Sequence, residues 1–128
     1  WREPLFLECT LDETTGEPLT ALAHRGARRV FSAQTARALR ELLASVVTEG
    51  TGHEAAPTEG TAAGKTGTAQ TGQFAAGKEL KNYWFAGFYP ARNPRYTIVV
   101  LQDGQTGPSR TSAAIFARVC DALDAAGE

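Results

Sequence analysis

The sequence predicts an α+β fold, an antiparallel three-stranded meander plus an N-terminal hairpin, flanked by helices. Three observations carry this expectation. Residues 33–49 and 109–125 repeat apolar side chains at helical spacing. The segment between them holds three short runs suited to strands, separated by Gly- and Pro-containing breaks. Before the first helix, residues 5–23 alternate apolar and polar side chains around a turn.

At 128 residues the chain has the length of one ordinary domain. Hydrophobic content of 42% and charged content of 21% are those of a globular protein rather than a disordered one. A net charge of −1, with Arg28-Arg29 the adjacent basic pair, gives no electrostatic reason to expect nucleic acid or an anionic membrane as partner. Cys9 and Cys120 match no metal-ligand spacing and read as two buried free thiols, with a single disulfide as the alternative. No signal peptide and no apolar run near membrane-spanning length is present, and the chain opens on Trp1 without an initiator Met. The expectation is a piece of a longer protein.

Along the hairpin, Leu5, Leu7, Cys9 and Leu11 fall on one face of a half-buried strand, and Leu19–Ala23 returns after a turn with Gly16 and Pro18. A surface hairpin suffices to explain it. Ser32 is placed to cap the helix 33–49, in which Ala36, Leu39, Leu43 and Val46 form a core-facing stripe and Gly50 supplies the stop. The motif strand is expected over 61–70 and a loop over 71–81. The aromatic run of 82–89 suits a strand buried on both faces, and 95–102 a β-branched strand. Pro108 and Ser109 introduce a last helix, 109–125, with Phe116, Val119, Cys120 and Leu123 along one stripe.

The most informative stretch is Ala63-Gly64-Lys65-Thr66-Gly67-Thr68-Ala69-Gln70. In an extended backbone, Lys65 and Gly67 point to one face and Thr66 and Thr68 to the other. Left open along one edge, such a strand offers a cation, hydroxyls and backbone N–H groups to an anion. A phosphate-binding loop is excluded: it needs a glycine five residues before Gly64, where Glu59 stands, and a helix after the lysine. His24 and His53 lie in turn-like stretches with no partner pattern and read as surface residues.

In order and content these residues resemble the C-terminal part of a penicillin-binding protein transpeptidase domain, in the serine β-lactamase/DD-peptidase superfamily. The family's Lys-Thr-Gly signature is at 65–67. The Gly50-Thr51-Gly52 turn precedes it. The Trp84-Phe85-Ala86-Gly87-Phe88-Tyr89-Pro90 strand, a β-branched strand and a final helix follow, so the resemblance covers about Leu5 to Leu123. Class B monofunctional transpeptidases are the nearest likeness, on the Gly-Thr-Gly turn and the aromatic strand ending in proline. A class D β-lactamase or a β-lactam-sensing receptor domain is the alternative, and a structural interaction module a third reading.

The resemblance implies a partial penicillin-binding/transpeptidase fold and a serine acyl-transfer reaction on D-Ala-D-Ala stem peptides, which β-lactams mimic, with no cofactor or metal. Carried across, Lys65 would supply positive potential beside the nucleophile and a link in proton transfer. Thr66 and Thr68 would hydrogen-bond the substrate carboxylate. The Thr68 N–H would be an oxyanion donor, a contact worth roughly 3–4 kcal/mol in acyl transfer. Gly67 would leave room for substrate along the strand, with a twist or bulge position as the equal alternative. Gln70 and Thr71 would extend the platform on which substrate backbone pairs. Trp84 reads as core rather than cleft.

Ser32, Ser45, Ser109 and Ser112 each lack a lysine three positions on, and no Ser-x-Asn is present. The resemblance therefore implies a fragment inactive by itself, a missing N-terminal half as partner, and self-association through exposed edges. It also implies a membrane-anchored parent on the extracytoplasmic face of a bacterial cell.

Overall fold

The computed structural model describes residues 9–21, 26–107 and 111–127. The chain divides into two compact units, residues 1–36 and 37–128. In the first, β1 (Cys9–Leu11) pairs antiparallel with β2 (Pro18–Ala21), with a register shift between Thr10 and Leu11. Asp12 organises the turn: its Oδ1 accepts the N–H groups of Thr14 and Thr15 at 2.9 and 2.8 Å and the Thr15 hydroxyl at 3.1 Å. Those donors, the Thr15 N–H foremost, hold the Asp12 carboxyl below its ordinary range. Residues 5–8 and 22–23 of the expected hairpin lie outside the described residues. The buried face expected for β1 is corrected at Leu11, which is 56% exposed; two strands have no face of their own to hide it against.

Helix α1 (Ala33–Thr48) starts where Ser32 Oγ accepts the Thr35 N–H at 3.0 Å. Its core-facing character is confined to its end: Val47 is buried, while Leu39 and Leu42 are exposed. The helix closes in the Gly50-Thr51-Gly52 turn, where the Gly52 N–H donates to the Val46 carbonyl at 2.9 Å. Space closes Gly50 to a side chain and crowds Gly52. A Cβ on Gly50 would lie 2.9 Å from the Val46 backbone, and one on Gly52 3.3 Å from the Phe85 ring. A short 3-10 turn, His53–Ala55, follows.

In the second unit the strands run β3 (Ala63–Ala75), β4 (Lys78–Tyr89) and β5 (Tyr96–Gln105), in the order β3-β4-β5 and antiparallel throughout. The loop expected over 71–81 is instead the end of a long hairpin. Ala75 pairs with Lys78 across Ala76 and Gly77, which have φ of 49° and 75°. Two successive positive φ values fit the two-residue turn that matches strand twist. The alanine in its first position removes the usual Asn-Gly or Asp-Gly signal. Burial of β4 on both faces is also corrected. Tyr83, Phe85, Gly87 and Tyr89 are buried, whereas Trp84 and Ala86 are exposed.

Helix α2 (Thr111–Ala125) packs on the buried face. Residues 109–110 of the expected helix lie outside the described residues. Val47, Ala55, Ala62, Phe85, Tyr89, Ala113, Phe116 and Cys120 form the core, with Tyr96, Ile98 and Val100 against it. The rings of Phe85 and Phe116 meet at 4.7 Å, tilted by 56°, a favoured aromatic arrangement. Within the expected α2 stripe, Val119 is 37% exposed. Both thiols are free, Cys120 fully buried and Cys9 half-buried.

Candidate active-site strand

β3 carries the motif at the margin of its sheet, with β4 on one side and no described strand on the other. Its register sets Lys65 opposite Ala86, Thr66 opposite Phe85, Gly67 opposite Trp84 and Thr68 opposite Tyr83. Residues directly opposite in an antiparallel pair share a face. Lys65, Gly67, Trp84 and Ala86 therefore lie on the face away from α2, and Thr66 and Thr68 on the face that continues into the core.

The Lys65 Nζ donates to the Thr66 carbonyl at 3.0 Å and to Thr66 Oγ1 at 3.2 Å. Thr66 projects from the opposite face, so the lysine reaches it by wrapping around the outer edge of the strand. The Thr66 carbonyl consequently faces that open edge. N–H and C=O groups of every second residue point the same way along a strand, which sets the Thr68 N–H on the same edge. The odd-numbered residues point to β4, consistent with the Ala86 carbonyl lying 2.7 Å from where a Gly64 Cβ would stand. Lys65 Nζ, Thr66 Oγ1 and the Thr68 N–H are thus brought to one open edge, while the Thr68 side chain projects from the α2-side face and the Gly67 backbone turns toward β4.

The glycines of the motif differ in purpose. A Cβ on Gly64 would lie 2.5 Å from Phe85 Cε1, so this position is closed by the core. On Gly67 it would meet Trp84 Cβ at 3.4 Å, an ordinary contact. Gly67 has no positive φ, and no register shift falls at it. The twist or bulge reading finds no support there, and a side chain at this position would lie against Trp84 alone. Trp84 is corrected from core to surface, 38% exposed beside Gly67. Gln70 and Thr71 have their side chains engaged in the hairpin: Gln70 Nε2 donates to Glu79 Oε2 at 2.9 Å, and Thr71 Oγ1 to the Leu80 carbonyl at 2.6 Å.

His53 is exposed, 3.4 Å from Glu54 Oε1, and His24 lies outside the described residues. Among the described residues no group of three or more His, Cys, Asp or Glu side chains could hold a metal ion. A groove of about 450 Å³ along α2, lined by Ile115, Arg118, Val119, Ala122 and Leu123, includes none of the motif residues. No helix among the described residues is long and apolar enough to cross a membrane.

Sequence reasoning missed a polar cluster beneath the start of β3. Asp121 Oδ1 accepts the Thr58 N–H at 2.7 Å and its Oδ2 the Thr58 hydroxyl at 3.1 Å. The Tyr89 hydroxyl donates to Asp124, with the Glu59 carbonyl 3.3 Å away. That bond to Asp124, with burial, pushes the Tyr89 phenol up to about 12. Asp121 and Asp124 stand three apart on one helix face, a spacing too ordinary to mark them in advance.

The family model described as the penicillin binding protein transpeptidase domain matches residues 3–121. The stage V sporulation protein D of Bacillus subtilis is 32% identical over 119 residues, which are 91% of this chain and 18% of that protein. The probable peptidoglycan D,D-transpeptidase PenA of Neisseria meningitidis is 39% identical over 90 residues, covering 67% of this chain and 15% of that protein. Among solved structures, the transpeptidase domain of Burkholderia pseudomallei penicillin-binding protein 3 superposes with a TM-score of 0.64 at 33% identity. It covers 90% of this chain and 35% of that one. The chain therefore spans less than a fifth of these two curated relatives, and it belongs to the penicillin-binding protein transpeptidase domain family.

Proposed function

We propose that this chain is the substrate-seating wall of a peptidoglycan D,D-transpeptidase, with the nucleophilic serine on a segment of the parent protein outside it. The observation that carries the reading is the β3 edge. Lys65 Nζ, Thr66 Oγ1 and the outward Thr68 N–H line one open margin, with Gly67 leaving the face above Trp84 uncovered.

In this reaction the serine oxygen attacks the carbonyl carbon of the penultimate D-Ala. Its proton passes through a base to the amine of the departing D-Ala as the C–N bond breaks. An amine of a neighbouring stem then attacks the ester and returns the proton to the serine oxygen. The Thr68 N–H stabilises the oxyanion that forms at each attack. Thr66 and Thr68 hydroxyls seat the terminal carboxylate, and Lys65 adds positive potential beside both. Substrate backbone pairs along the open edge of β3. A β-lactam, whose acidic group mimics that carboxylate, stops at the ester.

Intact mass spectrometry with penicillin tests the proposal. The expected result is no adduct on this chain alone and one covalent adduct on the protein with its preceding segment restored. A folded, restored protein that takes no adduct would overturn it. Rapid turnover of penicillin without accumulated ester would instead identify a β-lactamase.

A further inference from the structure

The entry to β3 is pinned residue by residue. Thr58 is held through its N–H and hydroxyl by the Asp121 carboxylate of α2. The Glu59 carbonyl lies beside the Tyr89 hydroxyl, whose single proton goes to Asp124. Gly60 has φ of 72°, and a Cβ there would lie 3.1 Å from Tyr89 Oη, so the turn sits directly on the phenol. The Thr61 carbonyl accepts the Ala91 N–H at 2.8 Å. Ala62 and Ala63 are fully buried, and Gly64 is closed by Phe85. Lys65 comes next.

From this unbroken series we infer that Asp121, Asp124 and Tyr89 are positioning residues for the reaction: they fix where β3 begins, and so where Lys65, Thr66 and Thr68 stand. The inference rests on the reading of β3 as a wall of the acyl-transfer site. None of the three side chains touches the motif: Asp121 acts through Thr58, Tyr89 through the 59–60 turn packed on its hydroxyl, and Asp124 through Tyr89. One carboxylate of α2 holds the loop directly at Thr58, and a second fixes the phenol at the end of β4 on which the loop rests, so α2 anchors the entry to the reactive strand. A ladder alone fixes a strand against its neighbour but resists lengthwise slip weakly when its side chains are small. Residues 61–69 are Thr, Ala, Gly and one Lys. An anchor at the entry supplies what those small side chains do not.

Two measurements on Asp121→Leu, Asp121→Asn and Tyr89→Phe test this. In hydrogen exchange on this chain, Asp121→Leu and Tyr89→Phe are expected to raise exchange about tenfold at the Lys65 and Gly67 amides, which face β4, and to leave the β4–β5 amides unchanged. Asp121→Asn, which keeps an oxygen for the Thr58 N–H, restores the parent pattern. Faster exchange confined to 58–61, or spread evenly over the sheet, would overturn the inference. In the serine-containing protein, the acylation rate constant with a fluorescent penicillin is expected to fall about tenfold in the same two variants. An ångström of misplacement can cost up to about a hundredfold. If the parent protein acylates and the two variants do so equally fast, the positioning role fails; if the parent itself takes no adduct, it is the functional reading that fails.

Discussion

A methyl group added to β3 meets a different neighbour at each motif glycine. At Gly64 it is driven into the Phe85 ring and the Ala86 carbonyl; at Gly67 it rests against Trp84 at ordinary contact distance. Gly64→Ala is therefore expected to destabilise by about 1–3 kcal/mol, as overpacking does. Gly67→Ala is expected to leave stability unchanged or raise it by up to about 1 kcal/mol. Urea denaturation of both variants checks the contrast, and equal losses would show that the motif glycines are both structural. Ionisable side chains give a second prediction at this scale. Burial, then the nearby Asp121 and Asp124, push the Cys120 thiol up to about 11 from 9.0. A group whose folded pKa is raised keeps its full stabilising effect below the unfolded value and loses it as pH climbs through the folded one. The Cys120 contribution is thus lost between pH 9 and about 11, and that of Tyr89 between 10 and about 12. Denaturation midpoints should fall from pH 8 to 11, and Cys120→Ala should flatten the decline between pH 9 and 10. An unchanged slope would refute the assignment.

Among the elements, the β3–β4 hairpin carries the sharpest prediction. Ala76 stands at a positive φ followed by Gly77, a conformation that costs an L-residue roughly 1–2 kcal/mol and that asparagine tolerates. Ala76→Asn should stabilise the hairpin by about 0.5–1 kcal/mol, read from slower amide exchange at 71–80; faster exchange would contradict the turn type. This hairpin also shows where the sequence was legible. The β-branched run at 96–100 and the small-residue motif strand announced themselves, as did the capped helix behind Ser32. The 71–81 segment did not, because Ala-Gly is a poor turn signal and Gln70 and Thr71 reveal their cross-strand bonds only once paired. Trp84 misled for a related reason. An aromatic run gives no period, and only pairing with Gly67 and Leu101 shows which residues face α2. The motif side chains were legible because four neighbours carry them. The cluster of Thr58, Tyr89, Asp121 and Asp124 was not, since it joins three distant segments through ordinary residues.

For the whole chain, the three-stranded sheet has unpaired outer margins on both β3 and β5 among the described residues. The face away from α2 exposes Trp84, Val99 and Leu101 at 38%, 58% and 45%. Open edges and an apolar face promote pairing with further copies. Size-exclusion chromatography with light scattering should show mass rising with concentration, and Val99→Lys should lower it. A monomer at high concentration would count against the prediction.

An ammonium group has three protons to give, and Lys65 has placed two of them on Thr66. One is uncommitted. A carboxylate that accepts a hydrogen bond from that proton would leave the strand undisturbed, whereas one that accepts two must displace the bonds to Thr66. On the proposed reading of β3, Lys65 would then discriminate among anions by the number of hydrogen bonds each demands.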